Sequence, residues 1–202
     1  MSDSLLYEII EAAGILDEEL ETLLLESLKI VPPSRYFTGV SEDLLASNNL
    51  WDLKLKEPLP VLFLRMLSVS NFAKNSKVLE IHPQTGFSTS ILSSLGAYVF
   101  AVYQEVSQAQ LVRKFLDSHG YQNALIRTGD SQRVWNEFAP FDCIFLYQPV
   151  EEVSFELLEM LSEDGGTLVV MLKEDSGVRL CTYTNTAEGL KTLPLEQIEL
   201  QA

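Results

Sequence analysis

Val78-Leu79-Glu80-Ile81-His82-Pro83-Gln84-Thr85-Gly86-Phe87 holds the transition that decides the fold. Lys77 to Ile81 is a short apolar run of the kind buried on both faces of a parallel sheet. A turn containing Pro83 and Gly86 follows, and then Phe87, Ile91, Leu92 and Leu95 recur at helical spacing. Strand, turn and helix in immediate succession make the first unit of an alternating α/β chain.

The unit repeats downstream. Ala97 to Tyr103, Ala124 to Arg127, Phe141 to Tyr147 and Gly166 to Leu172 are further apolar runs that read as buried strands. Between them, Leu111, Val112, Phe115 and Leu116 form a second helical stripe, with Ser107 expected as its N-cap and Gly120 as its stop. Val153, Leu157, Leu158 and Leu161 form a third, ahead of Asp164-Gly165-Gly166. Such alternation implies right-handed crossovers, with ligands at the carboxyl ends of the strands near the first switch point. Candidate site residues therefore lie just after Ile81, Tyr103, Arg127 and Tyr147.

Upstream the style changes near Asn71 to Ser76. Leu5, Leu6, Ile9, Ile10 and Ala13 share one helical face up to Gly14, and Leu16, Leu20, Leu23, Leu24 and Leu28 share another up to Val31-Pro32-Pro33. Asp17, Glu18, Glu19 and Glu21 favour the start of the second helix and read as a solvated face. Ser34 to Lys56 reads as ordered loop, and Pro58 and Pro60 open a nearly all-apolar helix through Leu67. One domain is expected, with residues 1–70 a helical cap and residues 71–202 the α/β core.

The chain has 202 residues, 47% of them apolar, enough for a sizeable core. Fourteen basic residues against twenty-nine acidic ones give a net charge of −15, which makes nucleic acid and anionic membranes poor partners. No segment is apolar for long enough to cross a bilayer and the first residues lack a basic signal flank, so a cytoplasmic protein is expected. Cys143 and Cys181 each sit in an apolar run and read as buried thiols. His82 and His119 have no metal-ligand neighbours.

Glu80 through Gly86 resembles the first motif of S-adenosylmethionine-dependent methyltransferases, an acidic residue at the end of a strand followed by a glycine-rich turn, E/D-x-G-x-G-x-G. Glu80 and Gly86 match, whereas His82 and Gln84 place a Cβ where the family has none and Pro83 between them removes a donor. The flanking residues are similar to the protein-L-isoaspartate O-methyltransferase family from about Leu16 to Tyr183. Val31 to Phe37 resembles its V-P-R-x-x-F segment, Leu53 to Pro58 its loop ending in x-Pro, and Ala139-Pro140-Phe141-Asp142-Cys143-Ile144 its A-P-F/Y-D-x-I strand. Leu157, Leu161, Gly165, Gly166, Leu168 and Val169 match its L-x-x-x-L-x-x-G-G-x-L-V signature.

The resemblance implies a Rossmann-like class I methyltransferase fold, with a mostly parallel seven-stranded sheet between helices. It implies S-adenosylmethionine as cofactor, held around Glu80, His82, Gly86, Tyr103, Gly129, Asp130 and Ser131, and a protein or peptide carboxylate, met by the Lys56 to Pro58 loop, as substrate. Tyr103 stands where the family has an acid that accepts from both ribose hydroxyls, which one phenol cannot do. Lys56 stands where most members carry a serine. Isoaspartate repair by methyl transfer is thus the leading expectation, and a non-catalytic binding or regulatory module that has lost its cofactor is the alternative; another nucleotide-like ligand ranks last, since no phosphate-cradling motif appears.

Several of these residues have plainer readings. His82 reads equally as part of the strand-end turn, Asp130 as a helix N-cap and Glu80 as an acceptor for its own turn. Tyr103 and Tyr147 either stack on an adenine or fill a cavity that a cofactor would otherwise take. Trp51 and Trp135 are packing anchors, with Trp51 also placed to line a peptide groove.

Overall fold

A computed structural model describes residues 3–48, 50–129 and 135–201. In chain order, α1 (Asp3–Ala13), α2 (Glu18–Ile30), α3 (Pro33–Tyr36) and α4 (Glu42–Leu45) are followed by β1 (Leu50–Asp52), β2 (Glu57–Pro58) and α5 (Pro60–Ser68). The alternating part runs β3 (Lys77–Ile81), α6 (Phe87–Ser94), β4 (Tyr98–Tyr103), α7 (Val106–Ser118), β5 (Ala124–Thr128), β6 (Cys143–Val150), α8 (Phe155–Glu159) and β7 (Thr167–Glu174). A hairpin of β8 (Gly177–Thr186) and β9 (Gly189–Gln201) closes it.

The strands form one sheet in the order β2-β1-β9-β8-β7-β6-β3-β4-β5. Every pairing from β7 to β5 is parallel, so the Rossmann-like expectation holds. The sheet has nine described strands rather than the expected seven. β1 comes from the stretch read as loop, and β2 takes Pro58, expected to open the next helix, which instead starts at Pro60. Asp52 accepts through Oδ1 from the Lys54 and Leu55 amides, both at 2.8 Å, and its carbonyl accepts from the Lys56 amide at 2.8 Å. An acid bonding the backbone two and three residues on is a turn-forming device. It folds β2 back on β1, while β1 pairs in parallel with β9. The same stretch contains α3 and α4, each of four residues and too short to show periodicity.

α7 begins at Val106 with Glu105 as its N-cap residue, so Ser107 lies inside the first turn and is not the cap expected. Asp17 caps α2 by accepting from the Leu20 amide at 2.8 Å. Cys143 and Cys181 are free and buried. Among the described residues no helix is long and apolar enough to cross a membrane.

Strand side chains alternate between two cores, as the period of two demands. Val78, Val99, Ala101, Phe145 and Met171 face the core made with the amino-terminal helices, α5, α6 and α7. Leu79, Ile81, Phe100, Val102, Ile144 and Val170 face the other, with Trp135 and Leu157. Residues 1–70, expected as a helical cap, also give β1 and β2 to the sheet, and their helices are fastened to it by aromatic edges. Phe87, 1% exposed, meets Tyr36, Phe37 and Phe63 at ring-centroid distances of 5.8, 5.3 and 5.7 Å. Tyr36 in turn meets Phe115 at 5.7 Å and donates its hydroxyl to Ser90 at 3.2 Å.

Because Phe87 joins cap to core, Phe87→Ala is expected to cost about 3–5 kcal/mol. That corresponds to a melting midpoint lower by roughly 6–20 °C in a chain of this size. Phe87→Leu should cost much less. Equal midpoints for the alanine variant and the native chain would show that the aromatic cluster does not join the two parts.

Candidate functional site

The strand ends that the α/β topology selects are those of β3, β4 and β6. Register brings three side chains together there. Glu80 lies beside Ala101 on β4 and Phe145 on β6. Tyr103 and Tyr147 are two residues farther along those neighbours and so point to the same face. The small side chain of Ala101 leaves room for them.

All three are 0% exposed. Glu80 Oε1 accepts from the Tyr147 hydroxyl at 2.6 Å, and the Tyr103 hydroxyl bonds Thr89 Oγ1 at 2.8 Å. Glu57, on β2, is also buried, and its Oε2 accepts from the Thr85 amide at 2.8 Å. Glu80 Oε2 and Glu57 Oε1 have no hydrogen-bond partner among the described residues. A buried carboxylate oxygen without a partner is costly in its charged form, which favours the protonated acid. Burial raises Glu57 to about 7, against the pull of the Thr85 hydrogen bonds and with a further push from Glu80. Burial also raises Glu80, despite the Ser88, Thr89 and Tyr147 hydroxyls that favour its anion. Tyr103 and Tyr147 are raised well above 10, by burial first and by Glu80 second, and remain phenols.

The turn above this cluster is tight. His82 continues the ladder by donating its amide to the Val102 carbonyl at 2.9 Å, then turns at φ +57°, where non-glycine residues are uncommon. Gly86 caps α6 at φ +83°, and a Cβ there would stand 2.2 Å from Val112 Cγ2, so glycine is required by packing as well as by conformation. Amide side chains cross the strand ends. Gln84 Nε2 donates to the His82 carbonyl at 3.0 Å and Gln108 Nε2 to Gln84 Oε1 at 3.4 Å. Gln104 Nε2 lies 3.3 Å from His82 Nδ1, and Gln148 Nε2 donates to Gln104 Oε1 at 3.5 Å.

Two clefts open on either side, and Lys56 and Gln104 line both. One, of about 660 Å³, is floored by Trp51 and Val178 and edged by Lys56, Lys173 and Gln148. The other, of about 400 Å³, lies between Tyr36, Gln84, Glu105 and Gln108. Trp51 donates Nε1 to the Tyr147 carbonyl at 2.9 Å, which ties the floor of the larger cleft to the buried cluster. Lys56 is exposed at φ +56° on the Asp52 turn.

The expected site residues separate accordingly. Glu80, His82, Gly86 and Tyr103 do come together. Gly129 is exposed beyond β5 and donates its amide to the Tyr103 carbonyl at 3.1 Å, whereas Asp130 and Ser131 lie outside the described residues. Lys56 faces the clefts, but Pro58 is buried in β2 and presents nothing to a substrate. Glu80 accepts from Tyr147 rather than from its own turn, and both tyrosines fill space rather than offer a stacking surface. The sequence reading missed Glu57, whose place before Pro58 gives no sign of burial, and Lys173, at the end of a strand read as stopping at Leu172. Among the described residues no group of side chains could hold a metal ion.

Comparison with known proteins puts this geometry in context. The family model described as Protein-L-isoaspartate(D-aspartate) O-methyltransferase (PCMT) matches residues 58–195. The chain is 28% identical to the protein-L-isoaspartate O-methyltransferase of Syntrophus aciditrophicus over 94% of this chain and 85% of that one. It is 27% identical to that of Gloeobacter violaceus over 70% of each. Two solved structures superpose with TM-scores of 0.75. One, titled a protein-L-isoaspartate O-methyltransferase, is matched over 100% of this chain but 66% of its own, at 20% identity. The other, a putative enzyme of that name from Plasmodium falciparum in complex with S-adenosyl-L-homocysteine, is matched over 99% and 96%, at 16% identity.

The residues here do not fit that cofactor at the positions the family motif implies. Glu80 and Tyr103, the residues that the resemblance puts at the strand-end acid and the ribose position, are both turned inward, and Val112 lies against the open side of Gly86.

The buried acids make stability depend on pH. Unfolded glutamate titrates near 4.3, so between about 4.3 and 7 the folded chain keeps a Glu57 proton that the unfolded chain has released. Stability therefore falls as pH rises through this window and flattens above it, by up to ~4 kcal/mol for this group. Glu57→Gln, which mimics the protonated acid, should leave stability at pH 5 nearly unchanged and raise it at pH 8. Glu80 would retain part of the slope. Parallel melting-midpoint profiles for variant and native chain would contradict the assignment.

Proposed function

Because the chain belongs to the protein-L-isoaspartate O-methyltransferase family, we propose that it recognises a carboxylate on a protein or peptide segment at the larger cleft. Transfer of a methyl group from S-adenosylmethionine to a protein carboxylate is the activity that the family and the fold support. The observation that carries the recognition half is the pair of exposed lysines, Lys56 and Lys173, at one cleft edge, neither of them in an ion pair with a described residue. In a chain of net charge −15, two such cations form a local site for an anion, since Glu174 of the same lining is neutralised by Arg179 at 2.9 Å.

An ammonium on a flexible stem acts as a point charge, so it attracts a carboxylate without fixing its geometry. Orientation would come from Gln104 and Gln148, whose amides each carry donors. Leu53 and Leu200, exposed on the lining beside the buried Trp51, supply apolar surface for the backbone and methylene groups of a peptide. The Asp52 turn holds Lys56 on the rim of the cleft, so the loop that the resemblance assigns to substrate carries an ammonium where most members carry a hydroxyl.

Fluorescence polarisation with labelled isoaspartyl and aspartyl peptides tests the reading. Lys56→Ala and Lys173→Ala are each expected to weaken isoaspartyl-peptide binding about three- to fivefold, ~1 kcal/mol, with the difference shrinking at high salt. Affinity unchanged in both variants would remove the cleft from substrate recognition.

A further inference from the structure

We propose that this chain binds its carboxylate partner without S-adenosylmethionine, because its own side chains fill the crevice at the ends of β3, β4 and β6. The inference concerns the cofactor half of the family reaction and takes the carboxylate cleft from the reading above.

Three independent features close the crevice. The first is the acid. Glu80 is fully buried and its Oε1 is engaged by Tyr147 at 2.6 Å, so it offers no group to a ligand lying over the strand ends. Tyr147 itself cannot easily swing away. Its ring stacks on Phe145 with centroids 6.1 Å apart and planes within 4°, and its carbonyl is held by the Trp51 indole. The second is the ribose position. Holding a vicinal diol takes two acceptor atoms facing the cleft, and a carboxylate has them. Tyr103 has one hydroxyl, which points into the core and is bound to Thr89 at 2.8 Å. Glu105, the N-cap residue of α7, is exposed on the lining of the smaller cleft, two residues beyond the position that the resemblance gives to the ribose acid.

The third feature is the turn. Two glycines are replaced by His82 and Gln84, Pro83 lacks an amide proton, and the remaining Gly86 is covered by Val112. The glutamine contacts that cross above it are near the long limit of hydrogen bonding and individually weak, but they place protein atoms where a ligand would lie. Charge at the β3 end points the same way: a sulfonium is a cation, and Glu80, the strand-end acid of the family motif, is buried against a phenol instead of facing the cleft.

The test is equilibrium binding of tritiated S-adenosylmethionine to the full chain, alongside peptide binding with and without the cofactor. The account expects no saturable binding up to millimolar S-adenosylmethionine, no labelled methyl ester on an isoaspartyl peptide, and peptide affinity unaltered within twofold by the cofactor. Micromolar S-adenosylmethionine binding or methyl ester formation by the native chain would overturn it while leaving carboxylate recognition intact. Absence of peptide binding together with absence of cofactor binding would overturn the cleft reading, and with it carboxylate binding by this chain, and leave only the closed cofactor crevice standing. A variant carrying His82→Gly, Gln84→Gly and Tyr103→Glu, shown to be folded by circular dichroism, should gain at least tenfold in cofactor affinity. Folded protein with no gain would rule out side-chain filling as the cause. Because the native chain alone decides the main point, failure of the variant to fold leaves that decision unaffected.

Discussion

The hydrogen bond from Tyr147 to Glu80 is the contact around which the site is arranged. A carboxyl group at the carboxyl end of a central parallel strand either faces a ligand or must be satisfied by the protein, since leaving it bare in the interior costs several kcal/mol. Here β6 supplies a phenol and β4 leaves room beside Ala101. Once that bond forms, burial raises the acid's pKa, the second tyrosine fills the remaining space against Thr89, and the turn above carries side chains.

The rest of the architecture holds this arrangement in place. Phe87 and its aromatic neighbours press the cap onto α6, and α6 begins at the glycine that Val112 covers. The Asp52 turn adds two strands beyond β9 and sets Lys56 on the rim of both clefts. Glu57, one residue on, is buried behind the Thr85 amide. The same short hairpin thus presents a cation to the cleft and an acid to the interior, which couples the geometry of the carboxylate site to the packing of the buried cluster.

Much of this was legible in the sequence. The strand at Lys77 to Ile81 was evident because five consecutive residues suit a doubly buried strand, and the family resemblance followed from motifs in unbroken order. The misfits at His82, Gln84 and Tyr103 were visible as residues, but their consequence was not. Whether Tyr103 stacks on a ligand or turns inward depends on which face of β4 it occupies and on what stands opposite. Glu80 and Tyr147 are 67 residues apart, and only the register between β3 and β6 makes them partners. The Asp52 turn and the four-residue helices were missed for a different reason: they are built from single side-chain contacts and carry no periodic signal.

A crystal structure grown with saturating S-adenosyl-L-homocysteine examines the central claim most directly. The account predicts the Tyr147 hydroxyl still on Glu80, Tyr103 still on Thr89, and no adenosine at the ends of β3 and β4. Electron density for the nucleoside lying over His82, with either tyrosine displaced to admit it, would contradict the account.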